Sequence, residues 1–117
     1  MAPVIETTST RVVIADHDDG TLLRIDGTLD VRSATELRSL LHTIIDTSPG
    51  TLLLDLGETH VADATGLGLL LECHRRGKRR GRTMRLVAVS PATERLLRRL
   101  GLARQFGAGA LHLPLSV

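Results

Sequence analysis

Aromatic residues are nearly absent: the 117-residue chain has no tryptophan or tyrosine, and Phe106 stands alone. Proteins that grip single-stranded nucleic acid usually stack bases on aromatic rings, and no such platform exists here. Cysteine is as scarce. Cys73, the single one, cannot form an internal disulfide, and its place two residues after Leu71 on an apolar helix marks core or core-edge packing. No apolar run approaches the roughly 20 residues that a membrane-spanning helix needs. Residues 1–10 lack the charged start and long apolar middle of a signal peptide, so a soluble, cytoplasmic protein is expected. Those residues read as a flexible N-terminus, and residues 11–117 as one domain, too small for a second core.

Lysine is missing too, save Lys78; the basic charge is carried by arginine, and the net charge is +2. The basic residues concentrate in His74-Arg75-Arg76-Gly77-Lys78-Arg79-Arg80-Gly81-Arg82 and at Arg95, Arg98 and Arg99. Duplex backbone contact is one reading of such a cluster. A solvated or partner-facing surface is the one adopted, because cations suit a helix C-terminus and the run crosses a Gly-bounded turn. No nucleic-acid partner is expected.

Several chemistries fail on their motifs. The stretch Gly66-Leu67-Gly68-Leu69-Leu70-Leu71 starts like a dinucleotide fingerprint but has Leu71 where a third glycine is needed. No G-x-x-x-x-G-K-[ST] phosphate loop occurs. The segment Val12 to Asp19, with Asp55, looks like a phospho-aspartate receiver, yet its acids lead into Gly20 and a second strand, and a late-strand lysine is missing. Asp55, Glu58, His60 and Asp63 crowd one loop without an established ligand spacing. Neither a metal nor a cofactor is expected, and no partnered nucleophile points to an enzyme.

What the chain does have is clear periodicity. Arg11–Ala15 and Thr21–Asp26 are strand-like runs joined by Asp16-His17-Asp18-Asp19-Gly20, a hairpin signal. Ser33-Ala34-Thr35-Glu36 reads as a capping box before Leu37, Leu40, Leu41, Ile44 and Ile45, and Ser48-Pro49-Gly50 stops that helix. Thr51–Leu56 is a buried strand, followed by a helix over about residues 65–77 with Leu67, Leu70, Leu71 and His74 on one stripe. Met84–Val89 is a further strand. Ser90-Pro91 opens a last helix carrying Leu96, Leu97 and Leu100, with Gly101 as its stop. A short strand near Leu111–Leu115 closes the pattern. The order β-β-α-β-α-β-α-β implies a small α/β domain with a mainly parallel sheet and an opening β-hairpin.

In such sheets function collects where strands end and helices begin. Residues 55–68 are such a place, with Asp63 and Thr65-Gly66 between strand and helix. Two readings of Thr65 stay open. Its hydroxyl caps the helix, or it carries a phosphate, which the unpaired N–H groups and dipole of a helix start favour.

Two segments together resemble the STAS domain family, the anti-sigma factor antagonists. Gly27-Thr28-Leu29-Asp30 with Ser33-Ala34 is similar to the family's Gly-Glu-Leu-Asp stretch at the first helix. Asp55-Leu56 with Asp63-Ala64-Thr65-Gly66-Leu67 is similar to its Asp-Leu and Asp-Ser-Ser-Gly-Leu. Ala64 replaces a serine, Thr65 is threonine where serine is commoner, and Thr28 replaces an acid. The resemblance implies that Thr65 is the phosphoacceptor and that Asp30, Asp63, Ala64, Thr65, Gly66 and Leu67 meet a partner. That partner would be a serine/threonine-kinase anti-sigma factor, whose sequestration frees a sigma factor. Phosphorylation would end the complex and a separate phosphatase would restore it. A constitutive binding subunit of a stressosome or transport complex is the alternative within the same fold.

Overall fold

The computed structural model describes residues 3–102. Thr21, Leu23 and Ile25, alternate residues of β3 (Gly20–Leu29), are all buried, the two-residue period of a strand with one face in the core. β2 (Thr10–His17) runs antiparallel to it through a turn at Asp18-Asp19, as the hairpin pattern predicts. After α1 (Val31–Thr47), β4 (Thr51–Leu56) lies parallel to the first half of β3, pairing Gly20 with Thr51 and Arg24 with Asp55. After α2 (Ala64–Arg79), β6 (Met84–Val89) lies parallel to β4. α3 (Pro91–Arg99) starts on Ser90, whose hydroxyl accepts the Thr93 N–H, and Gly101 follows it with φ 70°. The expected strand near Leu111–Leu115 lies outside the described residues.

Two strands were not legible in the sequence. β1 (Val4–Glu6) pairs antiparallel with β2, matching Val4 to Val13 and Glu6 to Arg11. It lies inside the stretch read as a flexible N-terminus. All three of its residues are exposed, so no alternation of burial could reveal it. β5 (Thr59–Val61) pairs in parallel with Gly27–Leu29 at the far end of β3. Its residues read as a polar loop, yet Thr59 is buried and donates its hydroxyl to the Ile25 carbonyl. Between Arg24–Asp55 and Gly27–Thr59 the pairing slips by one residue, so Gly57-Glu58 is a break within one continuing edge. The sheet order is β1-β2-β3-β4-β6, with β5 also on β3: antiparallel at one side, parallel at the other.

The core lies between the sheet and the helices. Val12, Leu23, Ile25, Leu52, Leu54, Leu56 and Leu86 meet Leu37, Leu41, Ile44 and Ile45 of α1, Leu69, Leu70 and Cys73 of α2, and Leu97 of α3. The buried stripe of α2 differs from the expected one. It runs Gly66, Leu69, Leu70, Cys73, Gly77, while Leu67, Leu71 and His74 are only partly buried. The cause is Gly66: a Cβ there would lie 2.3 Å from the Leu29 carbonyl oxygen, so this glycine marks the closest approach of helix to strand and sets the rotation of the helix.

Polar pairs finish the α1–α2 seam. Glu72 accepts from Arg38 at 3.0 Å and meets His42 Nε2 at 2.6 Å. Asp46 holds Arg76 at 2.6 Å and Arg80 at 3.3 Å. Arg82 donates to the Gly50 carbonyl at 2.8 Å and to that of Ile45. Part of the arginine run thus closes the ends of the two helices, while Arg75, Lys78 and Arg79 face solvent.

Candidate functional site

The ends of β3 and β5 deliver α1 and α2 side by side. Ala62 donates its N–H to the Leu29 carbonyl at 2.9 Å, so both helices start from one sheet edge. Each start is capped by an aspartate. Asp30 Oδ1 accepts from the N–H groups of Arg32 and Ser33, both at 3.0 Å, and Ser33 Oγ accepts the Asp30 N–H at 2.9 Å. This is a capping box, but three residues earlier than the sequence pattern placed it. Ser33 is its third helical residue, and it gains a donor's role as well, to the Thr28 carbonyl at 2.7 Å. Glu36, the expected box partner, accepts instead from the N–H and hydroxyl of Thr8. The hydrogen bonds from Ser33 and then Arg32 hold the Asp30 carboxyl below the usual aspartate range.

Asp63 caps α2 by accepting the Gly66 N–H at 2.9 Å. Its second oxygen reaches the other helix and accepts the Val31 N–H at 3.0 Å. The capping alternative for Thr65 is therefore corrected: the cap is Asp63, and Thr65 lies one residue inside the helix, after Ala64. Ala64 and Thr65 are exposed, Gly66 is buried against Leu29, and Leu67 is partly buried. The structure brings together all six residues singled out in the sequence, Asp30 joining through Val31.

Sequence reasoning missed the apolar surroundings. Val31, between Asp30 and Arg32, is 60% exposed, and Leu100 at the end of α3 is 50% exposed. Val61, Ala64 and Leu67 face Leu96 and Leu100 across a groove of about 310 Å³. A sign existed for Val31, since it falls outside the apolar stripe of its own helix. None existed for the groove, which forms between segments far apart in sequence.

Asp55 Oδ1 accepts the Gly57 N–H at 2.9 Å, and no group of three or more His, Cys, Asp or Glu residues suited to a metal occurs among the described residues. Cys73 is buried, and desolvation pushes its thiol up to about 12. No helix among the described residues is long and apolar enough to cross a membrane.

Comparison with known proteins agrees with this architecture. The fold is similar to that of an anti-sigma factor antagonist from Mycobacterium paratuberculosis, with TM-score 0.76 and 24% identity over 95% of this chain and 92% of that one. It is also similar to the Bacillus cell fate determinant SpoIIAA in its phosphorylated form, with TM-score 0.59 and 19% identity over 90% of this chain and 87% of that one. A sulfate transporter family protein from Wolinella succinogenes is similar at TM-score 0.61 and 26% identity, over 77% of this chain and 73% of that one. The family model for the STAS domain matches residues 11–116, and with nearly the whole chain covered, this protein belongs to the STAS domain family.

Proposed function

We propose that this STAS domain is an anti-sigma factor antagonist with Thr65 as its phosphoacceptor. Unmodified, it binds a serine/threonine-kinase anti-sigma factor and so frees a sigma factor. The kinase ends the complex by phosphorylating Thr65, and a separate phosphatase restores it. The observation that carries this reading is the exposure of Thr65 on the first turn of α2, beside a second helix start and an apolar groove. Asp63, which accepts the Val31 N–H, and Ala64, next to Thr65, line the same groove as Leu100, which offers one partner a continuous surface. A phosphate of about −1.5 to −2 charge placed there sits beside Asp63 and must shed its water for the partner to dock. The helix start meanwhile tolerates the modified residue, because its dipole favours negative charge. SpoIIAA, which is similar in fold, is known in a phosphorylated form.

The test is to incubate the protein with a kinase-type anti-sigma factor and ATP and to map the product by mass spectrometry. Phosphate is expected on Thr65 and not in Thr65→Ala, with loss of the complex in a pull-down. Thr65→Glu is expected to bind poorly without treatment. A kinase that binds the protein and leaves Thr65 unmodified would transfer the domain to the class of constitutive binding subunits.

A further inference from the structure

We propose that Asp63 is a positioning residue that ties the first turn of α1 to the first turn of α2, so that charge added at Thr65 is relayed to Val31 through its carboxylate. The proposal rests on Thr65 being the modified residue.

The first turn of α1 accounts for its N–H groups one by one. Arg32 and Ser33 donate to Asp30 Oδ1, and Ala34 donates to the Asp30 carbonyl at 2.9 Å. Val31 donates to Asp63 Oδ2, a bond spanning 32 residues of sequence. Asp63 thus completes a helix start to which it does not belong. Capping α2 needs only one oxygen, and Oδ1 fills that need with Gly66. The second oxygen holds the Val31 backbone against the helix start that carries Thr65.

The two bonds are unequal. The one to Gly66 is partly buried, where Leu29 presses on the glycine, and the one to Val31 is exposed. A phosphate or glutamate at Thr65 repels the Asp63 carboxylate and offers the neighbouring N–H donors a competing acceptor. The exposed bond yields first. Release of Val31 loosens the start of α1, so that one modification alters both halves of the surface. This goes beyond simple repulsion of a partner, because it alters the unbound protein.

The test uses amide proton solvent exchange, measured residue by residue by NMR on the full chain without a partner. Asparagine has one acceptor oxygen, so Asp63→Asn keeps the cap on Gly66 and loses Val31. Asp63→Ser, whose side chain is too short to reach α1, is the second variant. Both are expected to raise Val31 exchange about tenfold, with Gly66 exchange changed less than about twofold. Thr65→Glu is expected to raise Val31 exchange in the wild-type background and to add nothing in Asp63→Asn. Unchanged Val31 exchange in Thr65→Glu, or effects of the two substitutions that simply multiply, would overturn the relay. A Thr65 that a kinase leaves unmodified counts against the proposed function and not against this coupling.

Discussion

Gly66 lies so close to Leu29 that a methyl group added to the glycine would stand 2.3 Å from the Leu29 carbonyl oxygen and 2.6 Å from its carbonyl carbon. The obstacle is backbone, which cannot swing aside as a side-chain end does. Gly68, two residues on, has nothing within 4 Å of the same position. Alanine at these two sites should therefore act in opposite directions. Gly66→Ala should destabilise by roughly 1–3 kcal/mol or more through overpacking, while Gly68→Ala should stabilise by about 0.5–1 kcal/mol through helix propensity. Denaturant melts of the two variants check the pair, and equal effects would mean that the helix does not pack as described.

The rotation of α2 makes a second prediction. Leu69 and Leu70 are 0% and 2% exposed, whereas Leu71 is only partly buried. Leu69→Ala and Leu70→Ala should each cost about 2–5 kcal/mol, and Leu71→Ala clearly less. A larger loss at Leu71 than at Leu69 would restore the stripe expected from sequence.

Thr65 and Asp63 should separate in stability as they do in geometry. Thr65 is exposed and is not the cap, so Thr65→Ala should change stability by less than about 0.5 kcal/mol. Asp63→Ala removes the acceptor for Gly66 and Val31 and should cost about 0.5–2 kcal/mol. Thermal melts of the two variants under one buffer condition suffice.

Acid should weaken the fold partly through Asp30. Its hydrogen bonds to the Ser33 and Arg32 N–H groups hold its carboxyl below the ordinary aspartate value, so the folded chain keeps this charge to lower pH than the unfolded chain does. The resulting stability is complete above the unfolded value of about 3.9 and is lost as pH falls through the lower, folded value. Asp30→Asn keeps a capping oxygen and cannot titrate. Its melting temperature should fall less steeply than the wild type's below about pH 4, and parallel curves would remove Asp30 from the acid response.

Cys73 should resist modification while the protein is folded. Burial is the largest cause of the thiol's rise to about 12, with the Glu72 charge adding to it, and the thiolate is the reactive form. Ellman's reagent at pH 8 should react slowly with native protein and rapidly in denaturant. Fast reaction under native conditions would place Cys73 at the surface.

The sequence by itself determined the elements that depend on near neighbours. The turn at Asp18-Asp19-Gly20, the alternation along β3, the strand at Thr51–Leu56, the strand at Met84–Val89 and the Ser90-Pro91 helix start all follow from patterns within a few residues. The strand-to-helix junction at Asp63 to Leu67 was legible for the same reason. Tertiary structure decided what links distant segments. β1 has no burial to announce it, and β5 forms because the end of β3 offers a free edge. Which residue caps α1 depended on Ser33 finding the Thr28 carbonyl, and the face of α2 on Gly66 meeting Leu29. The second bond of Asp63 depended on the sheet delivering two helix starts to one edge. A carboxylate carries two oxygens in any sequence, and only the fold supplies a second donor within 3.0 Å.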